Sequence, residues 1–292
     1  LNKILEINNV SKHYKDFSLK NINISLDRGF VMGFIGPNGA GKSTTIRLIM
    51  NLIKKDSGEI KIFGFDHIKN ELQIKEKIGF VYDENHFYEE LTVKEMKNII
   101  RPFYKNWDEN AFLTYVKKFS LPLNKQIKQL SKGMKMKFSL AIAMSHHAEL
   151  LIMDEPTSGL DPLIRSELLH ILRTLMEDEN KAIFFSTHIT SDLEKIADYI
   201  TIINNGEIIL SKPMDELLEQ YAIVKGNKEF LETATNLSFI GVEQNKYGFK
   251  GLYNDKKELL DRFGNQVMIE KPTLEDILLF STKGSGQNVS SY

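Results

Sequence analysis

Residues 33–50 read GFIGPNGAGKSTTIRLIM, and the rest of the chain is best understood outward from this stretch. Phe30 to Ile35 (FVMGFI) are apolar enough for a buried strand, and Thr45 to Met50 (TIRLIM) resume with helical character. Between them Gly36, Gly41, Lys42 and Ser43 fit G-x-x-x-x-G-K-[ST], a phosphate-binding loop. Its glycines let the backbone curl with N–H groups inward, over Asn38, Gly39, Ala40, Gly41 and on to Thr44. The helix after it presents its positive end to the same anion. Lys42 is placed to reach β- and γ-phosphates, and the Ser43 hydroxyl to ligate Mg²⁺. The anion this predicts is a nucleoside triphosphate.

Two further strand ends carry matching chemistry. LLIMDEP (150–156) puts Asp154 and Glu155 at the end of an apolar run. An acid there holds Mg²⁺ beside a phosphate-binding loop, and its neighbour can orient and deprotonate water. FFSTH (184–188) ends with His188, which at the carboxyl end of an α/β strand faces the ligand crevice as a γ-phosphate sensor. His13, His67, His86, His146, His147 and His170 lack such a setting and are read as structural or surface residues. LSKGMKMK (130–137) places Ser131 and Gly133 at a helix start. Ser131 is an ordinary N-cap on its own, yet its hydroxyl, the free N–H groups and the helix dipole can also bind phosphate. A second phosphate-binding element makes sense if it faces a neighbouring subunit's nucleotide.

Composition narrows the class. At 292 residues a single core nears its practical size, so one large domain with subdomains, or a domain plus a smaller one, is expected. A net charge of −1 gives no global pull toward nucleic acid, and none is expected as a partner. The absence of cysteine removes disulfides and thiolate metal sites and fits a reducing cytosol. No apolar run approaches the roughly 18 residues that cross a bilayer, and the start (LNKILEINNV) lacks a signal peptide's layout. Any membrane work would need another chain to do the spanning.

Along the chain, short strands and turns fill the first third, and helical spacing takes over near residues 92–149. Asp108 is a plausible N-cap there, with Pro122 beyond that helix's end. β/α alternation returns from Leu150, with helices near Arg165–Asp178 and Ser191–Ala197 and a tight turn at Asn204–Asn205–Gly206. Such alternation implies a mostly parallel sheet covered by helices. After about Lys212 a small strand-rich unit with two or three helices is expected, and the tail KGSGQNVSSY reads as flexible.

The order GPNGAGKST, LSKGM, LLIMDEPTSGLD, STH closely resembles the ATP-binding-cassette ATPases over about the first 212 residues. The resemblance implies an α/β fold: a P-loop NTPase (RecA-like) core with an antiparallel β subdomain and a helical insertion, plus a small C-terminal α+β region. It places the nucleotide-binding domain at 1–212, its helical part at about 84–149, and an accessory region with the tail at 213–292. It implies ATP and Mg²⁺ as ligands, and a signature, Leu130 to Met134, that caps a partner's ATP through Ser131 and Gly133. Asp154 would support Mg²⁺, Glu155 act as general base and His188 as the switch histidine. Asp161 ends the D-loop begun by Ser158, and Tyr14 in VSKHYKD matches the aromatic that stacks on adenine.

The sequence departs from the family pattern in two places. Lys132 and Met134 stand where L-S-G-G-Q has its third and fifth residues, and Asp83 stands where a metal-touching Gln is usual, which makes Asp83 a candidate Mg²⁺ ligand beside Ser43 and Asp154. These variants, with NWDENAF and KPTLEDILLF, resemble ATPase subunits of two-component exporters of antibiotics, bacteriocins or cytolytic peptides, phenol-soluble-modulin exporters among them. The resemblance also implies a homodimer, or a heterodimer with a second cassette ATPase. It would serve a separate transmembrane permease at the cytoplasmic face of the membrane. The alternative is a non-transport cassette ATPase acting on ribosomes or nucleic acid. Neither sustained heptads nor zinc-binding cysteines, marks of the DNA-repair members, are present.

Overall fold

The computed structural model describes residues 3–82, 86–233, 237–263 and 266–283. The chain runs β1 (Lys3–His13), β2 (Ser18–Asp27), β3 (Val31–Ile35), α1 (Lys42–Ile49), β4 (Ser57–Ile62), β5 (Phe65–Asp66), α2 (Glu71–Lys75) and β6 (Ile78–Val81). Three helices come next, α3 (Val93–Ile100), α4 (Glu109–Lys118) and α5 (Lys132–Ser145). Alternation then resumes with β7 (Leu150–Asp154), α6 (Pro162–Leu175), β8 (Ala182–Thr187), α7 (Thr190–Ile196), β9 (Tyr199–Asn204), β10 (Glu207–Pro213) and α8 (Met214–Gln220). The last part holds β11 (Ala222–Gly226), α9 (Lys228–Thr233), β12 (Gly241–Asn245), β13 (Gly248–Tyr253), α10 (Lys256–Phe263), β14 (Met268–Glu270) and α11 (Leu274–Lys283).

The central six-stranded sheet has the order β10-β9-β3-β8-β7-β6. Every pair from β9 to β6 is parallel, and β10 closes one edge antiparallel. All residues of β3 and β8 are buried, which is why both read as unbroken apolar runs rather than alternating ones. Parallel pairing brings the carboxyl ends of β3, β8 and β7 to one edge, with Ile35 beside Thr187 and Asp154 beside Ser186. An antiparallel sheet, β2-β1-β4-β5, shares a hydrophobic cluster with α1 and with one face of the central sheet (Leu5, Ile24, Phe34, Ile46, Phe184).

Helix starts reflect local chemistry. Thr92 and Glu95 form a reciprocal capping box on α3, and Asp108 accepts from the Ala111 N–H at α4. The helix expected near Arg165–Asp178 runs from Pro162 to Leu175; its start is set earlier because the Asp161 carboxylate caps the Leu163 and Ile164 N–H groups. Asn205 and Gly206 have φ of 47° and 77°, the left-handed pair that the β9–β10 hairpin needs.

The third sheet, β12-β13-β11-β14, is antiparallel throughout. Among the described residues beyond Lys212 there are four helices rather than two or three. Leu217, Leu252, Leu274 and Phe280 join the cluster that includes Ile183 and Ile202 of the central sheet. The Asn204 side chain also donates to the Thr282 carbonyl at 3.0 Å.

Candidate functional site

The loop after β3 is shaped by close approaches. A Cβ on Gly36 would lie 2.2 Å from the Ile203 carbonyl of β9, so only glycine fits there. Gly41, at φ 116°, packs against Leu19 and Phe17, and Ala40 is buried and accepts from the Gly206 N–H at 2.9 Å. Asn38 and Gly39 are exposed, as is Ser43, and Thr44 is half-buried. The loop is thus held from behind by β2 and the β9–β10 turn while its front faces outward.

Lys42 is almost fully buried, and its Nζ donates to the Gly36 carbonyl at 2.8 Å. The same ammonium lies 3.7 Å from Glu155 Oε1. Glu155 Oε2 accepts from His188 Nδ1 at 2.8 Å, the His188 N–H at 3.2 Å and the Thr187 hydroxyl at 3.0 Å. Its backbone sits at φ 48°, a left-handed conformation that costs a non-glycine residue about 1–3 kcal/mol and gathers at functional sites. Asp154 accepts from Ser186 Oγ at 3.1 Å and from the Ser43 hydroxyl. Burial pushes the Asp154 carboxyl above the ordinary carboxylate range against those hydrogen bonds, so a cation beside it would relieve an uncompensated charge.

The structure therefore brings Lys42, Ser43, Asp154, Glu155 and His188 into one cluster at the carboxyl edge of the sheet. Thr187 and Ser186 belong to it as well, although the string FFSTH singles out only its terminal histidine. Their signal was position: they occupy the same strand end, on alternate faces.

Ser131 and Gly133 make different contacts. The Ser131 hydroxyl accepts from the Met134 N–H at 3.2 Å, capping α5, and a Cβ on Gly133 would lie 2.5 Å from Ile164 of α6. Asp161 caps α6. Tyr14 is 47% exposed on the β1–β2 turn, with the Lys12 ammonium 5.5 Å from its ring centre; it is not a core tyrosine. Phe17 from that turn touches the phosphate loop at Gly41, which puts Tyr14's turn beside the loop. His146 is buried, stacked on Tyr104 at 3.8 Å, and held neutral by burial with its pKa lowered to about 4. Asp83 lies outside the described residues.

Mg²⁺ fits what is present. It prefers one or two carboxylates, a hydroxyl and substrate phosphates to an all-protein cage. Asp154 and Ser43 form such a set.

A phosphate loop leading into an amphipathic helix, with two acids and a histidine on neighbouring parallel strands, defines a P-loop nucleoside triphosphatase. Residues 19–158 match the family described as ABC transporter. The chain is 35% identical over 235 residues to the bacitracin transport ATP-binding protein BcrA of Bacillus licheniformis, covering 80% of this chain and 75% of that one. It is 36% identical over 215 residues to the lantibiotic transport ATP-binding protein SrtF of Streptococcus pyogenes, covering 73% and 92%. Among solved structures, an ATP-binding subunit of an ABC transporter superposes with a TM-score of 0.68 at 29% identity, covering 74% and 92%. A dimeric ATP-binding cassette in a post-hydrolysis state with ADP and Pi gives 0.64 at 25%, covering 72% and 98%. The chain belongs to the ABC transporter family and is an ATP-binding ATPase of it. Among the described residues no helix is long and apolar enough to cross a membrane.

Proposed function

We propose that this chain is the ATP-hydrolysing subunit of an exporter of peptides or antibiotics, dimerising around Mg-ATP to drive separate membrane subunits. The single observation that carries the chemistry is the shared position of Glu155 between Lys42 and His188 at the end of β7. The phosphate loop binds the triphosphate through its backbone N–H groups, and Lys42 exchanges the Gly36 carbonyl for the β- and γ-phosphates. Ser43 and Asp154 would hold Mg²⁺, which supplies charge neutralisation across the phosphates. Glu155 takes a proton from water; the water oxygen bonds to the γ-phosphorus as the bond to the ADP oxygen breaks. His188, held by Glu155, donates toward the γ-phosphate, and Thr187 fixes the carboxylate. Tyr14 stacks on the base.

Ser131 and Gly133 act on the partner subunit's nucleotide, and Asp161 shapes the start of α6 that faces it. The region beyond Lys212 is an accessory unit attached to this ATPase domain. The cargo class rests on the bacitracin and lantibiotic transport relatives. The permease would dock in the apolar cleft of about 740 Å³ bordered by Phe87, Phe103, Tyr104 and Met136, where Tyr88 stands exposed nearby. Membrane solubilisation and affinity purification of the tagged chain test this. A multi-spanning permease should co-purify, whereas recovery with ribosomes would overturn the transport reading.

A further inference from the structure

α7 begins two residues after His188 and lacks a side-chain cap of its own: Ile189 stands at the cap position. Arg165, on the first turn of α6, holds that start from outside. Its Nε donates to Asp192 Oδ1 at 2.5 Å and its Nη2 to Ser191 Oγ at 2.9 Å. Asp192 is fully buried, and its second oxygen has no hydrogen-bond partner among the described residues. A buried carboxylate with one oxygen unpaired depends on its cation. Arg165 therefore fixes where α7 starts, and with it the direction in which the chain leaves His188. The turn that carries Arg165 also carries Ile164, which fills the space beside Gly133, so this grip and the helix capped by Ser131 share one rigid segment.

We infer that Arg165 and Asp192 are positioning residues for hydrolysis, their ion pair holding His188 in line with Glu155. The inference rests on the proposed role of His188. Nucleotide affinity is built by the phosphate loop and does not pass through this pair, so its loss should fall on kcat and leave KM nearly unchanged.

Steady-state ATPase kinetics of the full chain test it, using Arg165→Gln, Asp192→Asn, the double variant and Arg165→Lys, with His188→Ala as reference. Arg165→Gln and Asp192→Asn should each lower kcat at least tenfold with KM for ATP within twofold. The double variant should be no slower than the worse single one, and Arg165→Lys should recover part of the rate by keeping the charge. Arg165→Gln leaves the buried Asp192 carboxylate without its cation and should lower the melting temperature, whereas Asp192→Asn is isosteric and Arg165→Lys keeps the charge; thermal unfolding of each variant separates lost stability from lost rate, and the kinetics are read at a temperature where all are folded. If His188→Ala is inactive while Arg165→Gln turns over within twofold of wild type, the pair does not position His188 and the inference fails alone. Losses that multiply in the double variant overturn it too. Wild-type turnover in His188→Ala would remove the underlying reading.

Discussion

Gly36→Ala is the substitution for which the structure supplies a magnitude. The added methyl would lie 2.2 Å from the Ile203 carbonyl, 3.0 Å from its Cγ2 and 3.2 Å from Ala40 Cβ. Carbon–oxygen contacts begin near 3.3 Å, so loop or strand must give by roughly 1 Å. Ile203 cannot yield cheaply, since β9 is held between β3 and β10. The loop moves instead, and the Gly36 carbonyl that receives Lys42 moves with it. Overpacking of this kind costs about 1–3 kcal/mol of stability. A displacement of about 1 Å in a phosphate cradle can cost on the order of 10²-fold in rate. Gly39→Ala is the internal control. Its φ of 79° strains an alanine, but nothing lies within 4 Å of the new methyl, so activity should fall much less. ATP titration by calorimetry, steady-state hydrolysis and scanning fluorimetry on the two variants measure the contrast. A Gly36→Ala protein that binds and hydrolyses ATP within twofold of wild type would refute the idea that this contact sets the loop.

Other parts of the site carry three more expected outcomes. Lys42→Ala and Ser131→Arg should each be inactive alone; mixed in equal amounts they should regain roughly a quarter of wild-type turnover, since half of random dimers are mixed and each keeps one intact site. No recovery on mixing would mean that both motifs serve the same nucleotide. Asp154→Asn should raise the melting temperature of the ligand-free protein at pH 7 while removing its stabilisation by Mg-ATP. A carboxyl whose folded pKa is raised favours folding only while protonated, and that contribution is lost as pH rises above the unfolded value of 3.8. A lower melting temperature would contradict this. His146, lowered from 6.5 to about 4, contributes stability present above pH 6.5 and lost as pH falls toward 4, about 3 kcal/mol in all. Urea unfolding at pH 7 and 4.5 should show most of that loss in wild type and less in His146→Phe; equal losses would clear His146.

The candidate site is legible in the sequence because each part of it is local. A glycine-rich loop, two adjacent acids and a strand-terminal histidine are short strings, and parallel pairing alone brings them to one edge. Asp108 and Ser131 were legible as caps for the same reason. What the sequence concealed depends on distance along the chain. Arg165 meets Asp192 across 27 positions, and nothing in either segment announces the other. Gly133 reads as a signature glycine, but its contact with Ile164 is visible only once α5 lies on α6. Beyond Lys212, alternating apolar residues announced strands yet could not reveal that β11 sits between β13 and β14, since pairing partners are not written in local periodicity. The start of α6 lies three residues ahead of Arg165 because the Asp161 carboxylate makes the cap, a role that its place in the D-loop string does not announce.

The central claim is that Glu155 is the base of an ATPase that opens only on hydrolysis. Glu155→Gln keeps the size and the neutral hydrogen bonds of the side chain but cannot accept a proton from water. Size-exclusion chromatography of this variant with Mg-ATP, alongside its turnover, tests the claim most directly. The expected result is ATP bound at near wild-type affinity, hydrolysis reduced at least 10²-fold, and a species of twice the monomer mass that disperses when ATP is withdrawn. A Glu155→Gln protein that hydrolyses ATP at the wild-type rate would contradict it.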